Sequence, residues 1–138
     1  MRKLVFGSLL LLAACATTPP VTTPAVPPTP STKAVVHIYR RAIPLGPTTL
    51  SIYDGNALVC SLASGTYFQY LADPGPRSLK AVGQGAGSVP YATSFHAGQD
   101  YYLMVYFLGD QDTGNATITQ VDAATAQAVL ATLKPANP

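Results

Sequence analysis

The sequence predicts a mainly β protein: a small antiparallel β-sandwich that ends in a short C-terminal α-helix. Three observations carry this prediction. Short runs rich in β-branched and aromatic residues recur between residues 34 and 121, Gly and Pro turn signals separate them, and one run with helical spacing follows at residues 122–133. A leader at residues 1–14 and a Pro/Thr-rich segment at residues 15–33, expected to be disordered, precede the domain at residues 34–134.

Eight strands are expected, each a run of mainly β-branched, aromatic or aliphatic residues. They cover residues 34–40, 48–53, 57–62, 66–71, 77–82, 91–96, 100–107 and 116–121. Asp54-Gly55 is the strongest turn signal, because glycine adopts the positive φ that a tight hairpin turn requires. Asp73-Pro74-Gly75-Pro76 marks another turn, and its prolines predict an interruption of strand pairing. Short strands at this spacing are typical of an antiparallel sandwich or barrel.

The last periodic segment, residues 122–133, predicts a helix. Asp122 is placed to accept hydrogen bonds from free amide groups at its start, and Pro135 is expected to stop it. Four residues share one face at helical spacing: Ala126, Val129, Leu130 and Leu133. This stripe predicts a lid docked onto the sheet, and a helix that binds a partner is the alternative.

The N-terminus has the layout of a secretory signal peptide. Arg2 and Lys3 give a positive start, and the apolar run at residues 4–12 is shorter than the about 20 residues needed to cross a bilayer. The stretch Leu12-Ala13-Ala14-Cys15 resembles the lipobox of bacterial lipoproteins. The resemblance implies cleavage before Cys15, a diacylglyceryl group on its thiol, and an acyl chain such as palmitate on the freed amine. An ordinary cleaved leader with an incidental cysteine is the alternative.

The lipobox resemblance also implies a location. Ala16, rather than Asp, follows the cysteine, and in such lipoproteins this default implies the outer membrane, with the domain facing the periplasm. Two or three acyl chains make attachment long-lived, because each buried methylene contributes about 0.8 kcal/mol. The membrane, contacted through the covalent lipid, is therefore an expected partner.

Residues 16–33 predict an extended spacer, because Pro and Thr cannot bury enough apolar surface to offset the entropy of ordering. At about 3.1 Å per residue, the spacer reaches at most roughly 55 Å. This reach is enough to lift the domain clear of the lipid headgroups. A Pro-rich ligand for a partner protein is the alternative.

Charge and cysteine usage exclude other classes. Of eight Lys and Arg residues, Arg2 and Lys3 lie in the leader, which leaves six basic residues against six Asp and no Glu. A nearly neutral domain without a basic stripe has nothing to attract a phosphate backbone, so nucleic acid is not an expected partner. Cys60 is expected to be a buried free thiol, because Cys15, its one possible partner in the chain, would carry lipid.

Five short motifs follow one another through the domain. In order they are Val36-His37-Ile38-Tyr39-Arg40, Ile52-Tyr53-Asp54-Gly55, Gly65-Thr66-Tyr67-Phe68, Asp73-Pro74-Gly75 and Phe95-His96-Ala97-Gly98-Gln99-Asp100-Tyr101-Tyr102-Leu103. The series resembles the DUF2846 group of bacterial lipoproteins and, more loosely, PEGA-type domains, which are small β-sandwiches. The resemblance spans about residues 34–133, which is most of the chain after the leader, and implies no catalytic residues to carry over.

One arrangement suggests catalysis. His96 and Asp100 flank the predicted Ala97-Gly98 turn, where they could meet as a base and its orienting carboxylate in a small envelope hydrolase. Neither a nucleophile nor a pocket is suggested beside them, so an enzyme is not expected. Two histidines and no Glu argue against a metal site, and the Gly-rich stretch 83–87 matches neither phosphate-binding pattern. No cofactor is expected.

The predicted strand at residues 100–107 is apolar on both faces, one of which carries Tyr102, Met104 and Tyr106. Such a strand is usually central, so we expect this face to be covered. An open face would be an adaptable contact patch for peptide, glycan or protein. The sequence thus predicts a membrane-anchored lipoprotein that acts as a non-catalytic structural or binding module of the cell envelope. A small hydrolase and an accessory subunit of an envelope assembly are the alternatives.

Overall fold

The fold is given by a computed structural model that describes residues 32–110 and 113–137. The predicted signal peptide, Cys15 and the tether up to residue 31 lie outside this part of the chain. Within it, ten strands form two sheets, and one helix packs against the larger sheet. The mainly β class, the sandwich and the C-terminal helix are therefore confirmed.

The eight predicted strands are all present, with ends shifted by at most two residues. The ten strands are β1 Ala34–Arg40, β2 Thr49–Asp54, β3 Ala57–Ala63, β4 Thr66–Ala72, β5 Gly75–Val82, β6 Gly87–Ser88, β7 Tyr91–Phe95, β8 Asp100–Leu108, β9 Asn115–Gln120 and β10 Lys134–Pro135. Strands β6 and β10 are absent from the prediction, because two residues are too few to show an alternating pattern.

The order of the strands is β10-β4-β1-β8-β9-β6 in the larger sheet and β3-β2-β5-β7 in the smaller one. Every pair in the smaller sheet is antiparallel. In the larger sheet β1 pairs antiparallel with β4 but parallel with β8. The short strand β10 pairs in parallel with β4, and β6 pairs in parallel with β9. The central parallel pair departs from a purely antiparallel sandwich. Strand β4 returns antiparallel along one side of β1, and β8, which follows β7 of the smaller sheet, later adds along the other side in the same direction as β1.

The core lies between the two sheets and follows from strand alternation. Val36 and Ile38 of β1 point inward in phase with Leu103 and Val105 of β8. From the smaller sheet they meet Leu50, Ile52, Leu62, Leu79 and Phe95, all of them buried. Each such side chain contributes about 1.5–3 kcal/mol when it is fully buried.

Helix α1 covers Ala123–Leu130 and begins as predicted. Asp122 caps it, since its Oδ1 accepts a hydrogen bond of 2.9 Å from the Thr125 amide. The predicted end at residue 133 is wrong, because the chain leaves the helix after Leu130 and pairs β10 with the start of β4. Pro135 thus lies in a strand, where it needs no donor of its own. The predicted stripe does dock: Ala126 is buried, and Val129, Leu130 and Leu133 pack around it.

Strand β5 begins at Gly75, two residues before the predicted start. The expectation that Pro76 interrupts strand pairing is therefore wrong. Pro76 pairs with Ser94 of β7, whereas pairing with β2 begins only at Leu79. The side of β5 that faces β2 is therefore unpaired at Pro76. Proline has no amide hydrogen, and at this position the strand loses no hydrogen bond by it.

The sandwich has two poles, set by the direction of β1. The N-terminal pole is where β1 begins: there Lys33 Nζ lies 2.7 Å from Asp73 Oδ1. The loop pole is where β1 ends and residues 41–48 connect it to β2. The seven residues of β1 separate the poles by roughly 20 Å, at about 3.3 Å per residue.

Candidate functional site

In the described part of the chain, three cavities surround the β1–β2 loop at the loop pole, and Ile43 lines all three. The first, which we call the loop-pole groove, has a volume of about 280 Å³ and lies between the loop and the end of β8. It is lined by Arg40, Arg41, Ile43, Leu45 and residues 104–108. The second lies along the loop itself, and the third lies between the loop and helix α1.

Arg40 organises the loop from below. Its side chain is only 4% exposed, because the inward phase of Val36 and Ile38 continues to residue 40. The guanidinium Nη2 donates hydrogen bonds to the carbonyl oxygens of Pro47 at 2.7 Å and Leu45 at 3.1 Å. Nη1 donates longer bonds to the carbonyls of Thr48, at 3.4 Å, and Leu62, at 3.5 Å. We call this arrangement the Arg40 clasp.

The clasp holds a positive charge without a carboxylate. No ion pair joins Arg40 to an acidic side chain among the described residues, so carbonyl dipoles replace its hydration shell. Burial lowers the pKa of Arg40 from its usual high value. Arginine still stays charged at neutral pH, so the field of a cation reaches the groove above it.

The loop is also fixed from its two sides. Gly46 has φ +82°, and a Cβ at that position would lie 2.6 Å from the Phe107 ring, so the main chain packs directly on the aromatic side chain. On the other side, Ser64 Oγ accepts a hydrogen bond of 3.1 Å from the Ile43 amide and donates one of 3.0 Å to the Ile43 carbonyl. The groove is therefore preformed by the loop.

The groove presents apolar side chains to solvent. Exposure reaches 44% for Ile43, 58% for Leu45 and 56% for Leu108, and the three lie around one concavity. Isolated exposed leucines are normal, but a group of them around one cavity makes that cavity a candidate contact site. Arg41, which is exposed and makes no ion pair among the residues described, is the charged group at its rim.

The face of Tyr102, Met104 and Tyr106 is covered at one end and open at the other. Tyr102 is only 8% exposed, and Gln127 Nε2 of α1 donates a hydrogen bond of 3.3 Å to its hydroxyl. Met104 packs partly against the helix cluster, while Tyr106 is half-buried and lines the groove. The predicted coverage is thus confirmed at Tyr102, and the face opens at the loop pole.

His96 and Asp100, the two residues of the alternative hydrolase hypothesis, lie at the N-terminal pole. Within the described ranges, no hydrogen bond or ion pair joins the side chains of His96 and Asp100. Asp100 Oδ2 lies 3.8 Å from His37 Nε2 instead. The His37 ring stacks on Tyr102 with centroids 4.6 Å apart. His96 is exposed, and its amide donates to the Tyr101 hydroxyl at 3.0 Å.

Cys60 is buried and free, as predicted. Burial raises the pKa of its thiol to about 12, so the thiolate that would act as a nucleophile is not formed at neutral pH. Cys15, the predicted lipid site, lies outside the described residues. In the part of the chain that the structure covers, no three His, Cys, Asp or Glu side chains cluster as a metal site would require. None of the helices there is long and apolar enough to cross a membrane.

Comparisons with known proteins add no assignment. A scan of family models and searches of the curated proteins and of the solved structures found no match to this chain. The case for a function therefore rests on the sequence motifs and on the geometry described above.

The sequence analysis did not predict the loop-pole groove, although the sequence contains one signal that points to it. Arg40 occupies the inward phase of β1, two residues after Ile38, and an inward arginine predicts a buried charge that requires several acceptors. The Pro-rich loop that directly follows Arg40 supplies those acceptors as main-chain carbonyls. Leu45 and Leu108 lie far apart in sequence, and only the pairing of the strands brings them together.

Proposed function

We propose that this chain is a lipid-anchored, non-catalytic binding module of the bacterial cell envelope, of the DUF2846 type. The anchor is the lipobox cysteine, Cys15, and the tether is the Pro/Thr-rich segment that follows it. The observation that carries the binding role is the preformed apolar groove at the loop pole.

The position of the groove supports this arrangement. The tether joins the domain at Lys33, which is at the N-terminal pole, while the groove opens at the opposite end of β1. A tether that reaches up to roughly 55 Å lets the domain stand away from the lipid headgroups. The groove would then face the aqueous compartment, the periplasm when the anchor is in the outer membrane.

The non-catalytic part of the proposal is supported by the chemistry near the groove. Its lining residues are apolar except for two arginines and the Tyr106 hydroxyl. Neither arginine can act as a general base at neutral pH, because both stay protonated.

Acyl labelling tests the anchor. Cells that express the chain are grown with an alkyne analogue of palmitate, and we expect label on the wild-type protein and its loss in Cys15→Ala. Cys60→Ala is the matched control, because the chain has two cysteines and this one is buried in the core. Label that persists in Cys15→Ala, or an unmodified Cys15 thiol in the native mass spectrum, would reject the anchor.

Photo-cross-linking in intact cells separates this proposal from the accessory-subunit alternative. A cross-linking residue is placed at Leu45 or, as control, at Leu58 of β3, since both are 58% exposed. A discrete protein product from position 45 and none from position 58 would favour a subunit that docks through the loop pole. The same products from both positions would contradict a groove-specific contact.

A further inference from the structure

We propose that the loop-pole groove binds a fatty carboxylate, with the tail along Ile43, Leu45 and Leu108 and the head group at Arg41. The inference deepens the binding role proposed above and rests on it, but it does not depend on the lipid anchor. It names the ligand as a single-chain anionic amphiphile.

The apolar part of the argument concerns the shape of the groove. Its volume of about 280 Å³ is just below the roughly 300–1,000 Å³ found for small-molecule sites. Its apolar walls come from the loop on one side and from Met104, Phe107 and Leu108 on the other. A concave slot of this size suits one slender apolar chain.

The walls are also held in place before any ligand arrives. The Arg40 clasp and the Ser64 hydrogen bonds fix the main chain of the loop, and Phe107 packs directly on Gly46. A preformed site loses little conformational entropy on binding, so even a small ligand can be held.

The charge part of the argument concerns Arg41. Arg41 lines both the groove and the neighbouring cavity beside α1. No carboxylate from the described residues lines either cavity or pairs with Arg41. The buried Arg40 below adds positive potential, although carbonyl oxygens occupy its own donors.

Apolar walls beside a guanidinium that makes no ion pair with any described residue complement a molecule with an apolar tail and an anionic head. A carboxylate fits the guanidinium best, because two parallel N–H donors face its two oxygens. A cationic amphiphile with the same tail would instead be repelled at the rim. The structure therefore makes a prediction about the sign of the head group.

Calorimetric titration tests the proposal with dodecanoate and with dodecyltrimethylammonium, which have equal tails and opposite charges, both below their micelle concentrations. The protein is the mature chain from residue 15 on with Cys15→Ser, so that no attached acyl chain competes. We expect saturable binding of dodecanoate and at least roughly tenfold weaker binding of the cation. Equal affinity for both probes, or no saturable binding of dodecanoate, would overturn the proposal.

Matched variants locate the site. Arg41→Gln is expected to weaken dodecanoate binding about tenfold and Arg41→Lys by no more than about threefold, because lysine keeps the charge but loses the fork. Leu45→Gln is expected to weaken binding about fivefold, from the lost apolar contact. Leu58→Gln, at a residue with the same 58% exposure on the other sheet, should leave binding unchanged. Equal losses in Leu45→Gln and Leu58→Gln would place the ligand elsewhere and sink the proposal.

Vesicles provide the last arm. Binding to vesicles of phosphatidylglycerol without any binding of monomeric dodecanoate would mean that the loop pole contacts a membrane surface, and the ligand proposal would be wrong. A negative result with dodecanoate leaves the labelling of Cys15 untouched, so a failure of this inference is distinguishable from a failure of the anchor.

Discussion

Arg40 places a full charge in the protein interior, and main-chain carbonyls take the place of water around it. This arrangement couples one side chain to the conformation of the whole β1–β2 loop. Arg41, its neighbour in sequence, points to solvent and makes no ion pair within the described ranges. The two residues therefore have different roles. Arg40 holds the loop that forms the groove, and Arg41 places a positive charge beside the groove.

Replacing Arg40 should be costly. Arg40→Met removes the donors of four carbonyls, and we expect a loss of about 2–4 kcal/mol in the free energy of unfolding, measured by urea denaturation. Arg41→Met serves as control, and at an exposed site it should change the free energy by no more than about 0.5 kcal/mol. Comparable losses in the two variants would mean that the clasp does not stabilise the loop.

The inward position of Arg40 could be predicted from the sequence, but its hydrogen-bond partners could not. Strand alternation predicts that residue 40 points inward, as Val36 and Ile38 do. It does not say which acceptors the charge will find, because Leu62 comes from another strand and the carbonyls of Leu45 and Pro47 become acceptors only through the path of the loop.

At the scale of elements, the two ends of helix α1 are set by different interactions, one local and one tertiary. Its start is local: Asp122 caps it through the Thr125 amide. Its end is not, because the main chain beyond the helix is drawn into pairing with β4. The Lys134 amide donates to the Gly65 carbonyl at 3.1 Å, and the Ala136 amide to that of Tyr67 at 2.7 Å.

The cap predicts a pH dependence. The hydrogen bond from Thr125 lowers the pKa of Asp122 below its usual value of 3.8. The folded-state pKa thus lies below that of the unfolded chain, so the carboxylate stabilises the fold above about pH 3.8 and loses this effect as the pH falls through the folded-state pKa. Asp122→Ala should lower Tm at neutral pH and abolish the contribution of Asp122 to the acid dependence.

Asp122→Asn is the matched control for this experiment, because asparagine also caps helices but does not titrate. We expect it to keep most of the neutral-pH Tm and to remove the same part of the acid dependence. A Tm loss in Asp122→Asn as large as in Asp122→Ala would show that the charge, rather than the cap, stabilises the helix.

At the scale of the whole molecule, the parallel pair of β1 and β8 is the centre of the larger sheet. Each of the two strands has a paired neighbour on both sides, and each contributes buried residues to the core. The smaller sheet ends in β3 and β7, which pair on one side only. The most protected main chain should therefore lie in residues close together in space but distant in sequence.

Hydrogen exchange tests this organisation. We expect the amides of β1 and β8 to exchange slowest and at similar rates, because they open only when the sheet opens, and those of β3 and β7 to exchange faster. Residues of β2, which pairs on both sides in the smaller sheet, are the internal control and should lie near the slow end. Fast exchange in β1 with slow exchange in β8 would argue against the pairing of the two strands.

Strand positions were predictable from the sequence, and strand partners were not. Alternation locates β1 and β8 within one residue at each end, because it depends only on which face of a strand is buried. Nothing in either strand states that they lie side by side in the same direction, since both are apolar and β-branched or aromatic. The groove could not be predicted for the same reason, because it forms only where β8 ends beside the β1–β2 loop.

The central place of β1 has a consequence for how the protein is made. The first strand of the domain gains its second neighbour only when the chain as far as Leu108 is available. Until residue 108 has been synthesised, β1 lacks its parallel neighbour β8, and the centre of the larger sheet cannot form. We therefore expect the core between the two sheets to close late, after most of the domain has been synthesised.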